Sequence, residues 1–587
     1  MNAQSSRSPS RARTSAPRKA AAKAERADDA AGDAAPAKGA AGGRKAGKTG
    51  AAAGAGAGAK GGAGAKAGGR ASRGGKGGGG RRGGAAAAMA ERVVWSKRAW
   101  ALLAGLALLR LALNALGLIP VHFDEAQYWA YGREMAAGHY SKPPLVGWLI
   151  LVSTGVLGDT AFALRFFAPL AHLAVGAGVF LAARRLFDAR TGFWAALLYS
   201  AAPGVSISAG LMTTDPVMMA GWALALCALV RVMEVQPGPK TAEPWLWWAL
   251  VGAGGGLGML AKYTAIALPL GLLGYVIFSR EGPLSSSRRR GAGLAAAVAL
   301  LVLSPNIVWN AAHGFVTVTH LGENAEVGRG GLAHPGALAE FVGAQLGVIG
   351  PVAFLAVVAA LVTLPLDPAR RGDWRERLLA WSAAPLLLAM CVQAFLSSAN
   401  ANWAAPAYVG GSILAARWLL ARSWGELAGK VQAGIGIAAV VVVFALGGVY
   451  DIWARDLPRF ADPFKKMRNG GPFCEAALSA MEGEGAQVLL SNDRRRLSEC
   501  LFEGGMDFKD VAVWDPDGVP SNHFEFRSRL APGDARLMLL AVESEEQGQE
   551  IADRFAWAVP VGSGEFATHA DRSVRYVLWA VEGFEGY

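Results

Sequence analysis

From Trp100 to Tyr450 the chain alternates between apolar runs of about 18–25 residues and short polar connections. A helix crosses the hydrocarbon core of a bilayer in about 20 residues, so each run is long enough to span one. A soluble core has no use for so many such runs. The pattern predicts an all-α polytopic membrane protein with about eleven spans. They lie near 98–120, 162–183, 191–208, 216–233, 245–261, 264–279, 292–312, 337–364, 378–398, 403–420 and 432–450. The run "LVGWLILVSTGVLG" at 145–158 is shorter. It reads as a re-entrant or interfacial helix, because counting it as a span would reverse every later loop.

After Asp451 the pattern changes. Short apolar runs ("AQVLLS", "VAVWDP", "ARLMLLAV", "VRYVLWAV") alternate with amphipathic stretches such as "EAALSAMEG" and "EEQGQEIADRFAWA". This alternation predicts a small α/β domain over 451–587. The chain then divides into a tail at 1–92, a membrane domain at 93–450 and the C-terminal domain.

Charge sets the expected orientation. Clusters of Arg and Lys fall at 183–190, 231–240, 279–290, 367–377 and 417–430, on every second connection. The positive-inside rule places these loops and the N-terminus in the cytoplasm, and the C-terminal domain outside it. The net charge of +13 adds little to this, since much of it sits in the tail. That tail is Ala, Gly, Lys, Arg and Ser with almost no large apolar side chain, a composition that cannot offset its ordering entropy and reads as disordered. A basic tail could meet nucleic acid; beside a first span it more naturally meets anionic lipid headgroups. Met89 is an alternative start. The tail is too long and polar for a signal peptide. Of the four cysteines, Cys474 and Cys500 lie in the outer domain, where an oxidising compartment permits a disulfide; two separate buried thiols is the other reading. Cys227 and Cys391 fall within spans and read as packing residues.

The outer loops hold the candidate chemistry. The first, "HFDEAQYWAYGREMAAGHYSKPPL", opens a helical pattern at Asp124 that Gly138 can end. Asp124 reads as its N-cap with Gln127 three residues on, and Glu125 as a first-turn acid. Tyr128, Trp129, Tyr131 and Tyr140 read as an interfacial aromatic belt. The second outer loop carries Asp215-Pro216, a cap followed by a first-turn proline. The third is a tight hairpin with Lys262 and Tyr263 at its tip; Lys262 could simply snorkel to headgroups. One membrane face thus gathers Asp124, Glu125, Lys142, Asp215 and Lys262. A transporter places its ionisable residues nearer the midplane. Carboxylates and lysines at one interface suit chemistry on a substrate that is part lipid and part polar.

"FDEAQYWAYGREMAAGHYSKPPL", "TTDPVMMAGWALAL", "GLGMLAKYT", "SPNIVWN" and "NWAAPAY", in this order, resemble bacterial C-type membrane glycosyltransferases of the protein-mannosyltransferase-like superfamily, which includes the aminoarabinose transferases and the rhizobial galacturonosyltransferases. The resemblance covers roughly residues 98–450. It implies inverting transfer of a sugar from a polyprenyl-phosphate carrier to a cell-envelope acceptor. By position in the motifs, Asp124 is the implied base, Glu125 orients it or the acceptor, and Asp215 binds substrate or a metal. Lys142 and Lys262 hold the phosphate, with Tyr263 as a hydrogen-bond donor and Tyr128 also against the substrate. Aminoarabinose transferases carry an acid just before the lysine of the Lys-Pro motif. Here it is Ser141, which departs from their zinc site; His320 or His313 could serve another divalent metal, and the metal is left open.

Three other readings compete with transfer to a glycolipid such as lipid A or core oligosaccharide. They are transfer to secreted protein, transport or lipid flipping, and a non-catalytic envelope scaffold. The outer-loop carboxylates favour an enzyme.

Overall fold

The computed structural model describes residues 78–235, 244–278, 285–324, 333–453 and 457–587, except 463, 466 and 469. The expectations for residues 1–77 lie outside the described residues. The first span occupies Ala86–Ala115, so helix begins ahead of the boundary at 92 and ahead of Met89. The alanine-rich run before Met89 explains this, since Ala is the strongest helix former.

A helical segment stands at each of the eleven expected positions, but they are not equal. Six are long and apolar enough to cross a membrane: Ala86–Ala115, Ala161–Leu186, Thr214–Glu234, Ser286–Ala312, Trp374–Leu396 and Gly425–Leu446. Trp245–Ala261, Tyr263–Phe278 and Ala407–Leu420 are apolar but shorter. The expected span 191–208 divides at Pro203 into Ala189–Ser200 and Pro203–Ser208. The expected span 337–364 is corrected most. It is two helices, Pro335–Val348 and Pro351–Thr363, bent by 116°.

The bend has a local cause. Gly350 sits at φ 90°, where an L side chain is strained, and Pro351 follows it. Gln432 fills the space a side chain on Gly350 would need. Its amide nitrogen donates to the Ile349 carbonyl at 2.7 Å, and its oxygen accepts from the Ala353 N–H at 3.4 Å. A buried amide thus satisfies backbone groups released by the break, which an apolar medium requires. The pair still traverses the bundle. The His334 N–H bonds the Phe395 carbonyl at one end of Trp374–Leu396, while Thr363 accepts from Arg370 near the other end.

The helix ends separate into two faces. At one, Arg375 donates to the Leu186 carbonyl, Arg185 pairs with Glu234, and Arg190 with Glu426. This face collects the basic loops. The other carries Asp124, Lys142, Asp215, Lys262 and Asn402, together with the C-terminal domain.

That domain is α/β, as the alternating pattern predicted. Its five strands run in the order β2-β1-β3-β5-β4, where β1 is Val488–Ser491, β2 Val511–Val513, β3 Met538–Val542, β4 Phe555–His569 and β5 Arg572–Phe584. β1 is parallel to β2 and β3, and β5 is antiparallel to β3 and β4. β1 and β3 are buried at every position, which explains their uninterrupted apolar runs. A Cys474–Cys500 disulfide joins helices Gly471–Glu484 and Arg494–Gly504. Cys227 and Cys391 are free and partly buried.

Candidate active site

The first outer loop folds as the helix Phe123–Glu134 followed by a short descent to Lys142. Its N-cap is His122, not Asp124. The His122 ring accepts the Asp124 N–H at 3.1 Å, and Glu125 returns a bond to the His122 N–H at 3.1 Å. The capping box is therefore two residues earlier than expected, because an imidazole nitrogen accepts as a Ser or Asp oxygen does. The helix ends at Met135 in the left-handed region, φ 49°. Gly138 is not the stop; it lets the loop pass the Trp309 ring, which a Cβ would meet at 2.4 Å. A second close approach fixes the helix itself. A Cβ on Gly132 would lie 2.6 Å from the Gly147 carbonyl, so Phe123–Glu134 and Leu145–Leu157 pack backbone to backbone.

Adjacent carboxylates have opposite fates. The Glu125 residue is 1% exposed. Arg165 grips it through Nε at 2.9 Å and Nη2 at 2.7 Å, and the Met212 N–H adds a bond at 2.8 Å. Arg165 also donates to the Ile119 and Pro120 carbonyls at 2.7 Å each. Glu125 thus ties the first outer loop to the second. The Asp124 side chain is 41% exposed, and its nearest ionic partner is His122 at 3.7 Å.

Asp215 lies in the first turn of Thr214–Glu234, whose N-cap is Thr213. Both oxygens are engaged, by Lys262 Nζ at 2.7 Å and by Asn402 Nδ2 at 2.7 Å. Lys262 ends the helix Trp245–Ala261, so the hairpin tip turns inward to Asp215 rather than outward to headgroups. The Tyr263 hydroxyl donates to Asn306 and accepts from Asn310 at 3.1 Å. Asn306 in turn holds the Ala137 carbonyl at 2.9 Å, and Thr317 the His139 carbonyl at 2.8 Å.

Lys142 is half-buried, and its ammonium has no hydrogen-bond partner among the described residues. Burial and the nearby Lys262 charge push its pKa down; Asp124 and Asp215 pull it back up. Tyr128 is buried, and burial, with Asp124 adding to it, raises its hydroxyl pKa well above normal. Asp124, Tyr128, Lys142, Asp215 and Lys262 therefore form one electrostatic neighbourhood.

The aromatic belt is corrected. Tyr128, Trp129, Tyr131 and Tyr140 are all buried. Three of them pack against the C-terminal domain: Trp129 edge-on to Phe502 at 5.5 Å, Tyr131 against His523 at 4.6 Å, and the Tyr140 hydroxyl on the Pro520 carbonyl. Ion pairs reinforce this seam, Arg133 with Asp507 and Arg527 with Glu134. The domain is latched over the loop that carries Asp124 and Lys142.

His313 and His320 are the histidines the sequence offers to a divalent metal. His313 stacks on Trp309 at 4.2 Å and contacts its carbonyl, and His320 packs on Tyr140 at 4.9 Å. Among the described residues, the one set of three that could converge on an ion is Glu134, His139 and His523. Its hydrogen bonds do not fit a metal. The Tyr140 N–H donates to His523 Nδ1 at 3.2 Å, so the proton of that neutral ring is on Nε2, which faces Glu134 at 3.1 Å. A metal needs that lone pair free. His523 alone stands against the ion: the two ring nitrogens of His139 are buried without a hydrogen-bond partner among the described residues. His523 and Glu134 form a hydrogen-bonded pair across the seam, and His139 stacks on Tyr131 at 3.9 Å.

Residues 141–309 match the family of dolichyl-phosphate-mannose-protein mannosyltransferases. The lipid A galacturonosyltransferase RgtD of Rhizobium johnstonii is 29% identical over 424 residues, 72% of this chain and 85% of its own length. The chain is thus similar to membrane glycosyltransferases of the protein-mannosyltransferase type. A second relative, an undecaprenyl phosphate-α-4-amino-4-deoxy-L-arabinose arabinosyl transferase of Pseudomonas fluorescens, is 33% identical over 159 residues, 26% of each chain. The fold is that of the Cupriavidus metallidurans ArnT crystallised with undecaprenyl phosphate, at TM-score 0.54 and 18% identity over 81% of this chain and 97% of that one. The stretch matched by the family covers Lys142, Asp215, Lys262 and Tyr263 but stops short of Asp124 and the C-terminal domain.

Proposed function

We propose that the protein is an inverting glycosyltransferase that moves a sugar from a polyprenyl-phosphate carrier to lipid A or a similar envelope glycolipid, on the outer face of a bacterial inner membrane. The juxtaposition of one accessible carboxylate, Asp124, with one unpartnered ammonium, Lys142, carries this reading. The acceptor hydroxyl attacks the anomeric carbon from the face opposite the phosphate. The new C–O bond forms as the bond to the carrier phosphate breaks, and the hydroxyl proton passes to the Asp124 carboxylate. Lys142 and Lys262 take up the charge that develops on the departing phosphate. A glycosyl phosphate is already a good leaving group, so no acid is required. Tyr128 and Tyr263 line the substrate, and Asp215, engaged by Lys262 and Asn402, positions that lysine. Glu125 acts through the loop it anchors. The lipid acceptor follows from the relative matched over most of its length, which is named for lipid A.

Asp124→Asn tests the reading. The cap belongs to His122, so the substitution leaves the helix start intact. Turnover of a polyprenyl-phosphate sugar by purified enzyme in liposomes should fall by about 10²–10⁴-fold with the thermal midpoint unchanged. Turnover near wild type would remove Asp124 as the base.

A further inference from the structure

Arg494 is the first residue of the helix Arg494–Gly504, whose start is fixed by Asp493 accepting the Arg495 N–H at 2.8 Å. From there the guanidinium crosses the seam between the domains. Nη1 donates to Gln127 Oε1 at 3.2 Å, and the group lies over the Phe123 ring at 5.6 Å. Gln127 is buried and bonds the Tyr131 hydroxyl, which lies 3.4 Å from Ser141 Oγ, beside Lys142. A polar chain therefore runs from the C-terminal domain to the lysine loop, with a cation at each end.

Three other arginines of this seam have carboxylate partners. Arg133 meets Asp507, Arg527 meets Glu134, and Arg496 meets Glu543. Arg494 is bonded only to a neutral amide, and Nε and Nη2 have no hydrogen-bond partner among the described residues. Two neighbouring cations, Arg494 and Lys142, repel each other, and neither has an acid within ion-pair distance among the described residues. Such a pair is stabilised by bound anionic groups. Lys142 as a compact ammonium suits a phosphate as a point charge, while the free fork of Arg494 suits a carboxylate or phosphate held through two oxygens.

We infer that Arg494 is a substrate-binding residue that the C-terminal domain supplies to the membrane site, and that it holds an oxyanion group other than the phosphate of the lipid carrier. This rests on the glycosyl-transfer reading above. Two sources share that chemistry: an acidic group on the transferred sugar, or a phosphate on the acceptor.

The test is direct binding to the full-length protein in nanodiscs. The probes are undecaprenyl phosphate, its neutral hexose and its uronate derivatives, and phosphorylated and dephosphorylated lipid A. Arg494→Ala should weaken either the uronate carrier or phosphorylated lipid A by roughly 10- to 100-fold, leaving undecaprenyl phosphate within about twofold. Which of the two responds identifies the source. Arg494→Lys should recover only part, since the charge is kept and the fork lost. Unchanged affinity for every probe overturns the inference, as does an equal loss for undecaprenyl phosphate itself. Failure of the wild type to bind undecaprenyl phosphate would count against the transfer reading instead. Arg494→Gln guards against misfolding: with its unfolding midpoint at the wild-type value, it should lose the same affinity as Arg494→Ala, and wild-type affinity in it would overturn the inference.

Discussion

Lys262 donates to Asp215 across 2.7 Å, from the tip of one hairpin to the first turn of another helix. Both side chains are largely buried, so each leaves an unmatched charge if the other is removed. They should behave as one unit. Lys262→Ala and Asp215→Ala are each expected to lower turnover by about 10–100-fold, and the double variant should be no worse than the worse single one. Losses that multiply in the double variant would mean two independent roles.

Glu125 and Asp124 are neighbours with opposite expectations. Glu125→Gln leaves the buried Arg165 guanidinium without its counter-charge. That costs about 3–5 kcal/mol when one partner of a buried pair is removed. The expected signature is a lowered unfolding midpoint in detergent, with activity lost only as folded protein is lost. A stable, inactive Glu125→Gln would move Glu125 into the chemistry.

Glu499 offers a pH test in the C-terminal domain. Burial pushes its carboxyl up to about 7, against the pull of Arg496. An unfolded chain releases the same proton near 4.5. Between these values the folded state binds more protons, so stability should fall as pH rises from about 4.5 to 7 and level off above. The drop is on the order of 3 kcal/mol. Unfolding midpoints recorded from pH 4.5 to 8 should show this slope in the wild type and a flatter line in Glu499→Gln. Identical slopes would assign the effect to another group.

The Cys474–Cys500 link closes a loop of 26 residues. Chain entropy values such a loop at about 3 kcal/mol. Cys474→Ser with Cys500→Ser, or reductant on the wild type, should lower the stability of the C-terminal domain by that order, read as its unfolding midpoint. Reductant that shifts nothing would show that the thiols are not joined.

Much of this protein was determined by residue pattern alone, because the bilayer imposes a length and a polarity that a linear chain displays directly. The apolar runs, the two faces of loops and the α/β pattern after Asp451 are all of this kind. So is the gathering of Asp124, Lys142, Asp215 and Lys262, since alternate connections must share a face. Contacts that join distant segments decided the rest. Nothing local marks Gln432 as the residue that occupies the break at Gly350, 82 positions away along the chain. Asp124 and Glu125 are indistinguishable as acids in a helical first turn; the reach of Arg165 buries one and leaves the other open. Trp129, Tyr131 and Tyr140 have the composition of a lipid-facing belt, and the domain packed against them helps make them interior. Arg494 stands in an ordinary charged helix start, and its approach to Gln127 exists only because tertiary packing closes 367 residues of sequence separation to 3.2 Å.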